Sequence, residues 1–306
     1  MDCGRLFEEA TIVLPTLNEA EAIGLVIDEL LNAGVPVERI LVVDGYSSDG
    51  TVEIARGRGV RVVFQEGVGK AAAVKTALRY VDTPFVVFMD GDYTYPGSRV
   101  CDLLVWLKEG YDHVVGARVW DKRSQSLVYR IGNRALTLLF NALFGVKLTD
   151  VLSGMYASRT RVLREVDFEM HGFSVESEIA AHMAATGRRI KETPVEYRRR
   201  LGEKKLGVKH GFKIALDMVR LTWRYNPAFL IFALGSLLLL PGLLLGAHVG
   251  YHYFFTGVKY HVKGLVAIAL ALTGFISSLL AVLALYVKRM EIRLLRKIEE
   301  LRGREA

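Results

Sequence analysis

The chain has 306 residues, 51% of them hydrophobic, with a formal net charge of +7 and a mean hydropathy of +0.26. That length holds one domain of about 200 residues plus something smaller, and the basic balance calls for an anionic partner; with no zinc-finger spacing and no nucleic-acid module, the expectation is lipid or a phosphorylated ligand and no nucleic acid. The two cysteines, Cys3 and Cys101, form no metal or redox motif and no disulfide framework is expected of them, and Asp2, Arg5, Glu8 and Glu9 precede any apolar run, unlike a signal peptide.

Residues 11–14 read as a first strand ended by Pro15, and Asn18 and Glu19 open an amphipathic helix to about Ala33. A buried strand at 40–43 leads into the polar turn Asp44-Gly45-Tyr46-Ser47-Ser48-Asp49-Gly50-Thr51 and a helix over 51–58. A strand at 60–64, the turn Gly67-Val68-Gly69-Lys70 and a helix over 71–80 follow. Residues 85–89 form a fourth strand, Pro96 starts a helix to about Glu109, and 113–117 form a fifth strand ending at Arg118. Alternation at this spacing predicts right-handed βαβ units and a mainly parallel sheet. The polar loops all follow strands, which is the edge where ligands of such sheets lie.

The stretch Val86-Val87-Phe88-Met89-Asp90-Gly91-Asp92 organises the chain. Its apolar run suits a strand buried on both faces. The two carboxylates at its end can hold Mg²⁺ or Mn²⁺ and leave other coordination positions to substrate phosphates. The plainer reading of Asp-Gly-Asp is a turn.

Beyond the strands, a helix over 129–146 carries Arg130 and Arg134 and then a wide apolar face. It lies either in a membrane interface or on the sheet. Residues 150–156 read as a polar loop, 174–186 as a helix whose Glu176 and Glu178 are ordinary helix carboxylates or sugar contacts, and 190–197 as a strand. Arg198, Arg199, Arg200, Lys204 and Lys205 make a positive patch. From 226 to 258 and from 264 to 287 there is no Asp, Glu, Lys or Arg, so each stretch is long enough to span a bilayer core as helix. The expected organisation is a catalytic domain over 1–225, two transmembrane helices at about 227–250 and 264–287, and a basic tail over 288–306. Basic flanks on both sides of the pair place the domain, the tail and both termini in the cytoplasm.

Pro15-Thr16-Leu17-Asn18-Glu19, the 44–51 turn, Asp90-Gly91-Asp92 and Asp150-x-x-Ser153-Gly154 resemble family 2 glycosyltransferases, and more narrowly the polyprenyl- or dolichyl-phosphate sugar synthases, over about residues 10–206. The resemblance implies a GT-A nucleotide-sugar-binding α/β domain. It implies that Asp90 and Asp92 serve catalysis, the metal and the donor diphosphate, and that Pro15, Leu17, Glu19, Asp44 and Lys70 line the nucleotide. Arg118, Arg130, Arg134, Arg199 and Lys205 would meet the acceptor phosphate. The implied partners are a nucleotide sugar, a dolichyl or polyprenyl phosphate and the lipid membrane, with homo-oligomerisation left open. The implied reaction is inverting hexosyl transfer, from a UDP-glucose or UDP-N-acetylglucosamine type of donor in preference to GDP-mannose. The chain departs from the family at Leu17 (usually Tyr), Gly45 (often Asp), Thr94 (often Gln) and Lys204 (usually Ser). Two other readings are a processive polysaccharide synthase, whose Gln-x-x-Arg-Trp motif is missing from the sequence, and a non-catalytic membrane-anchored nucleotide-sugar-binding subunit.

Overall fold

The computed structural model describes residues 2–120, 127–169, 174–202 and 208–302, which divide into two units meeting at Arg220 and Leu221. In the first unit the strands are β1 (Ala10–Thr16), β2 (Ile40–Asp44), β3 (Arg61–Phe64), β4 (Phe85–Phe88), β5 (His113–Trp120), β6 (Tyr156–Arg159) and β7 (Ile190–Tyr197). They form one sheet in the order β3-β2-β1-β4-β6-β5-β7. The helices are α1 (Cys3–Glu8), α2 (Ala20–Asn32), α3 (Thr51–Gly57), α4 (Lys70–Tyr80), α5 (Val100–Lys108), α6 (Leu127–Phe144), α7 (Thr160–Arg164), α8 (Val175–Ala185) and α9 (Val208–Tyr225).

β1 to β4 are mutually parallel. The apolar runs of β2 and β4 are buried throughout, and their side chains alternate between two cores. Ile12, Leu14, Val42 and Val87 face one core with Ile23, Ile27 and Leu103. Val13, Leu41, Val43, Val86 and Phe88 face the other with Val74, Ala77 and Ile179. Burial on both faces explains why these strands show continuous hydrophobicity in place of alternation.

The short helices α1 and α7 were not expected, and other features depart from the expectation more consequentially. β6 enters between β4 and β5 and runs antiparallel to both, so Tyr156, expected in a loop, starts a buried strand. Four residues of mixed polarity carry no strand signal; register with Val87 and Val115 makes them one. α9 occupies a basic segment, with Lys213, Arg220 and Arg224, whose charge alone does not signal a helix. Finally, Cys3 on α1 is disulfide-bonded to Cys101 on α5, 98 residues away. This corrects the expectation of unpaired cysteines: pairing across such a separation leaves no spacing pattern, and only the packing of α1 against α5 creates it.

The second unit holds α10 (Pro227–Tyr251), a π-helical turn (His252–Thr256) and α11 (His261–Arg302). Both helices are long and apolar enough to cross a membrane by length and composition. α11 runs unbroken through the described part of the basic segment expected as a tail, to Arg302. Small residues set the approach of the two helices. A Cβ at Gly242 would meet the backbone of Ala271, and one at Gly274 the backbone of Leu239.

Candidate active site

The carboxyl ends of β1, β2 and β4 meet at one edge. Asp44, at the end of β2, is fully buried. Its Oδ1 accepts from Thr16 Oγ1 (3.1 Å) and Ser47 Oγ (2.6 Å), and its Oδ2 from the Ser47 N–H (2.7 Å). Asp49 accepts from the N–H of Ala20 and from Thr51, joining the starts of α2 and α3. These two aspartates therefore fix the loops that follow β1 and β2. Pro15 is half-buried and Leu17 is exposed.

Asp90 and Asp92 follow β4, one residue apart, as expected. Each meets a cation. Lys70 Nζ, at the first turn of α4, lies 2.5 Å from Asp90 Oδ1 and 2.6 Å from Glu176 Oε1 on α8. Arg200, beyond β7, donates through Nη1 to Asp92 Oδ2 (2.7 Å) and through Nη2 to Glu19 Oε1 (2.5 Å). Thr94 Oγ1 donates to Asp92 Oδ1 at 2.5 Å. Burial opposes the charge of Lys70, but Asp90 and Glu176 outweigh it and hold the ammonium well above its usual range. Burial raises the Glu176 carboxyl against the pull of Lys70. Burial, then the neighbouring charge of Asp90, raises Asp92 against Arg200.

The Ser153-Gly154 pair acquires a physical role. A Cβ on Gly154 would overlap Asp90 Oδ2, so only glycine leaves room for that carboxylate. The glycine is pinned by its N–H donating to Tyr95 Oη (2.8 Å), while Ser153 Oγ donates to the carbonyl of Gly116 (2.5 Å).

Arg118 is buried and donates from Nε and Nη2 to the two oxygens of Asp150, both at 2.6 Å. Burial works against both charges, yet each holds the other ionised: the arginine is raised well above, and the aspartate kept below, the ordinary value. Asn133 on α6 accepts from Arg118 and donates to Asp150. This brings Arg118 to the helix that carries Arg130 and Arg134, one turn apart on one face. Neither of those two forms an ion pair among the described residues, and Arg134 is exposed. Arg199 is exposed too; the arginine that reaches the carboxylates is its neighbour Arg200. Lys205 lies outside the described residues.

Sequence reasoning therefore missed Arg200 and undervalued Glu176. Glu176 was one of two carboxylates at the start of α8, with Glu178, and nothing in the sequence told them apart. Arg200 had no signal either, being one of three consecutive arginines.

No cluster of three or more His, Cys, Asp or Glu forms among the described residues. A divalent ion would thus take carboxylates from Asp90 and Asp92 and its remaining ligands from substrate and water, the habit of Mg²⁺. The residues fit such an ion. Asp90 keeps a 30% exposed side chain, and its Oδ2 accepts no hydrogen bond among the described residues. Asp90, Asp92, Glu19 and Glu176 outnumber Lys70 and Arg200 by two formal charges.

A family model described as glycosyl transferase family 2 matches residues 11–167. Glycosyltransferase AglJ of Haloferax volcanii is 32% identical over 296 residues, covering 95% of this chain and 97% of that protein. The dolichyl-phosphate hexose transferase of the same organism is 36% identical over 203 residues, covering 65% of this chain and 87% of that protein. Among solved structures, glucosyl-3-phosphoglycerate synthase from Mycobacterium tuberculosis, in complex with Mn²⁺, UDP-glucose and phosphoglyceric acid, has a TM-score of 0.59 at 23% identity, covering 74% of this chain and 84% of that one. That likeness is one of fold.

Proposed function

The chain belongs to glycosyl transferase family 2 and is a glycosyltransferase, and on that premise we propose that it moves a hexose from a nucleoside diphosphate sugar to a dolichyl or polyprenyl phosphate at a membrane. The observation that carries this reading is the rim of four carboxylates and two cations after β1, β4 and β7 and on α4 and α8. A relative named for dolichyl-phosphate hexose transfer supports the acceptor.

Bound by Asp90 and Asp92, Mg²⁺ or Mn²⁺ would supply positive charge against the leaving diphosphate. Lys70, ion-paired with both Asp90 and Glu176, ties the start of α4 to α8 and holds Asp90 in place beside the ion. The nucleophile is a phosphate monoester, already largely dianionic with its second pKa near about 6. It needs no strong general base, and an attack in line with the leaving group inverts the anomeric centre. That agrees with the place of His113, buried against Ser158 with its pKa pushed down to about 3 by desolvation. Arg130 and Arg134 bind the acceptor phosphate, because guanidinium groups stay charged and bind phosphate bidentately. Arg118, already engaged by Asp150, orients α6 and adds positive charge. On α6, Leu127, Val128, Ile131 and Leu138 are exposed, an apolar surface suited to a lipid interface. α10 and α11 anchor the enzyme, with the first unit and both termini cytoplasmic by the distribution of positive charge.

The donor is a uridine diphosphate sugar of the glucose or N-acetylglucosamine type. Both oxygens of Asp44 already accept hydrogen bonds, from Thr16 and Ser47, and Gly45 supplies no second carboxylate. Those three hydrogen bonds leave Asp44 about one acceptor position of four, which suits uracil's single N3–H better than guanine's paired donors.

The test is incubation of purified protein with a panel of nucleotide sugars and a short polyprenyl phosphate, read by mass spectrometry with and without chelator. Metal-dependent formation of a polyprenyl-phosphate hexose is expected, and transfer undiminished by chelator removes the metal from the reaction. Titration calorimetry of UDP against GDP with Mg²⁺ decides the base. GDP binding tenfold tighter, about 1.4 kcal/mol the other way, sinks the uridine assignment.

A further inference from the structure

Arg200 stands where the proposed metal and donor would meet. Its guanidinium bridges Asp92 Oδ2 at 2.7 Å and Glu19 Oε1 at 2.5 Å. The bridge spans two loops, since Glu19 precedes α2 and Asp92 follows β4. The backbone beyond β7 is laid along the same loop: the N–H of Arg198 donates to the carbonyl of Thr94 (2.9 Å) and that of Leu201 to the carbonyl of Asp92 (3.3 Å). One of the three guanidinium nitrogens makes no hydrogen bond. Arg200 Nε is buried with no acceptor, which costs free energy for a charged group and marks a place where an anion is wanted.

Resting on the reading of Asp92 as a metal carboxylate, we propose that Arg200 exchanges partners during donor binding: a divalent cation takes Asp92 from it, and the freed guanidinium, still anchored by Glu19, closes on the donor diphosphate. Three features carry this. A dication and a guanidinium compete for the same oxygen of a carboxylate whose other oxygen already accepts from Thr94. The two uncompensated negative charges of the cluster match the charge of one divalent ion. Once displaced from Asp92, a guanidinium with one arm still on Glu19 has Nη1 and the buried Nε free to donate charge-assisted hydrogen bonds to phosphate oxygens. Arg200 is thus a positioning residue for metal loading and an anion contact for the donor. A purely structural arginine would serve neither role.

The experiment uses the full-length protein in detergent and the variant Arg200→Met, which keeps the stem and removes the charge, with Arg200→Gln as a second variant should the first fail to fold. Mn²⁺ alone is titrated and free ion is read by electron paramagnetic resonance. UDP is then titrated by calorimetry at saturating Mn²⁺. The variant should bind Mn²⁺ about five- to tenfold more tightly, since a competing unit charge is gone. It should bind UDP at least about tenfold more weakly, since the diphosphate has lost its clamp. Unchanged or weaker Mn²⁺ binding overturns the exchange, as does UDP binding equal to wild type. Wild-type protein that binds neither Mn²⁺ nor UDP would instead defeat the functional reading itself, so the two failures are told apart.

Discussion

Replacing Lys70 by methionine probes the cation that joins two carboxylates of the site. Lys70 lies 2.5 Å from Asp90 and 2.6 Å from Glu176, whose side chain is only 7% exposed. Methionine keeps much of the stem, so the loss is electrostatic more than volumetric. Removing one partner of a buried pair costs about 3–5 kcal/mol, because the other is left as an uncompensated charge. The Glu176 side supplies most of this, since water reaches Asp90 and screens it. The effect also has a pH signature. Burial already raises the Glu176 carboxyl above 4.5, and losing Lys70 raises it further. A carboxyl whose pKa is raised on folding binds its proton more tightly in the folded state, so stability falls as pH climbs from the unfolded value toward the folded one. Lys70→Met should therefore come closest to wild type below pH 4.5 and fall away above it. Urea denaturation in detergent, followed by fluorescence of Trp106, which packs on the core, measures the difference. The double variant Lys70→Met/Glu176→Gln should recover most of the deficit. A loss below about 1 kcal/mol, the range of exposed pairs, or one that does not change with pH, would refute the buried pair.

Gly154→Ala should lower kcat by about 100-fold or more through displacement of Asp90, with little change in melting temperature; full activity would mean that the Asp90 position is not critical. Reducing the Cys3–Cys101 bond opens a loop closed across 98 residues and should cost about 2–5 kcal/mol. Melting with and without dithiothreitol shows it, and Cys101→Ser should abolish the sensitivity. In the second unit, Gly274→Leu should break the pairing of α10 and α11 and expose the hairpin to protease, whereas Gly250→Leu, with open space at its Cβ, should be tolerated. Equal protease resistance of the two would argue against close backbone packing.

Much of the architecture was legible from local pattern. β1, β2 and β4 announce themselves as apolar runs, because a strand buried on both faces has no polar side to show; Pro15, read as the end of the first strand, instead lies within β1 opposite Val43. The amphipathic α2 and the charge-free stretches that became α10 and α11 are equally local signals. The pair Asp90 and Asp92 could be singled out because two carboxylates one residue apart at the end of a buried strand, on the edge where the polar loops gather, suit a divalent ion.

The sequence by itself thus determined the α/β class, the edge on which the loops gather, the carboxylates at its centre and the two apolar helices. These depend on periodicity and composition within ten or twenty neighbouring residues. Only the tertiary structure decided that 156–159 would be a strand, because its partners are Val87 and Val115, and that Cys3 would find Cys101. It alone decided which of three adjacent arginines enters the site. Arg200 meets Asp92 across 108 residues and Glu19 across 181, and Lys70 finds its counter-charge on α8. Such pairs form when a buried charge must be compensated by whatever opposite charge the packed chain brings within reach. That is a property of three-dimensional neighbours, which no one-dimensional spacing encodes.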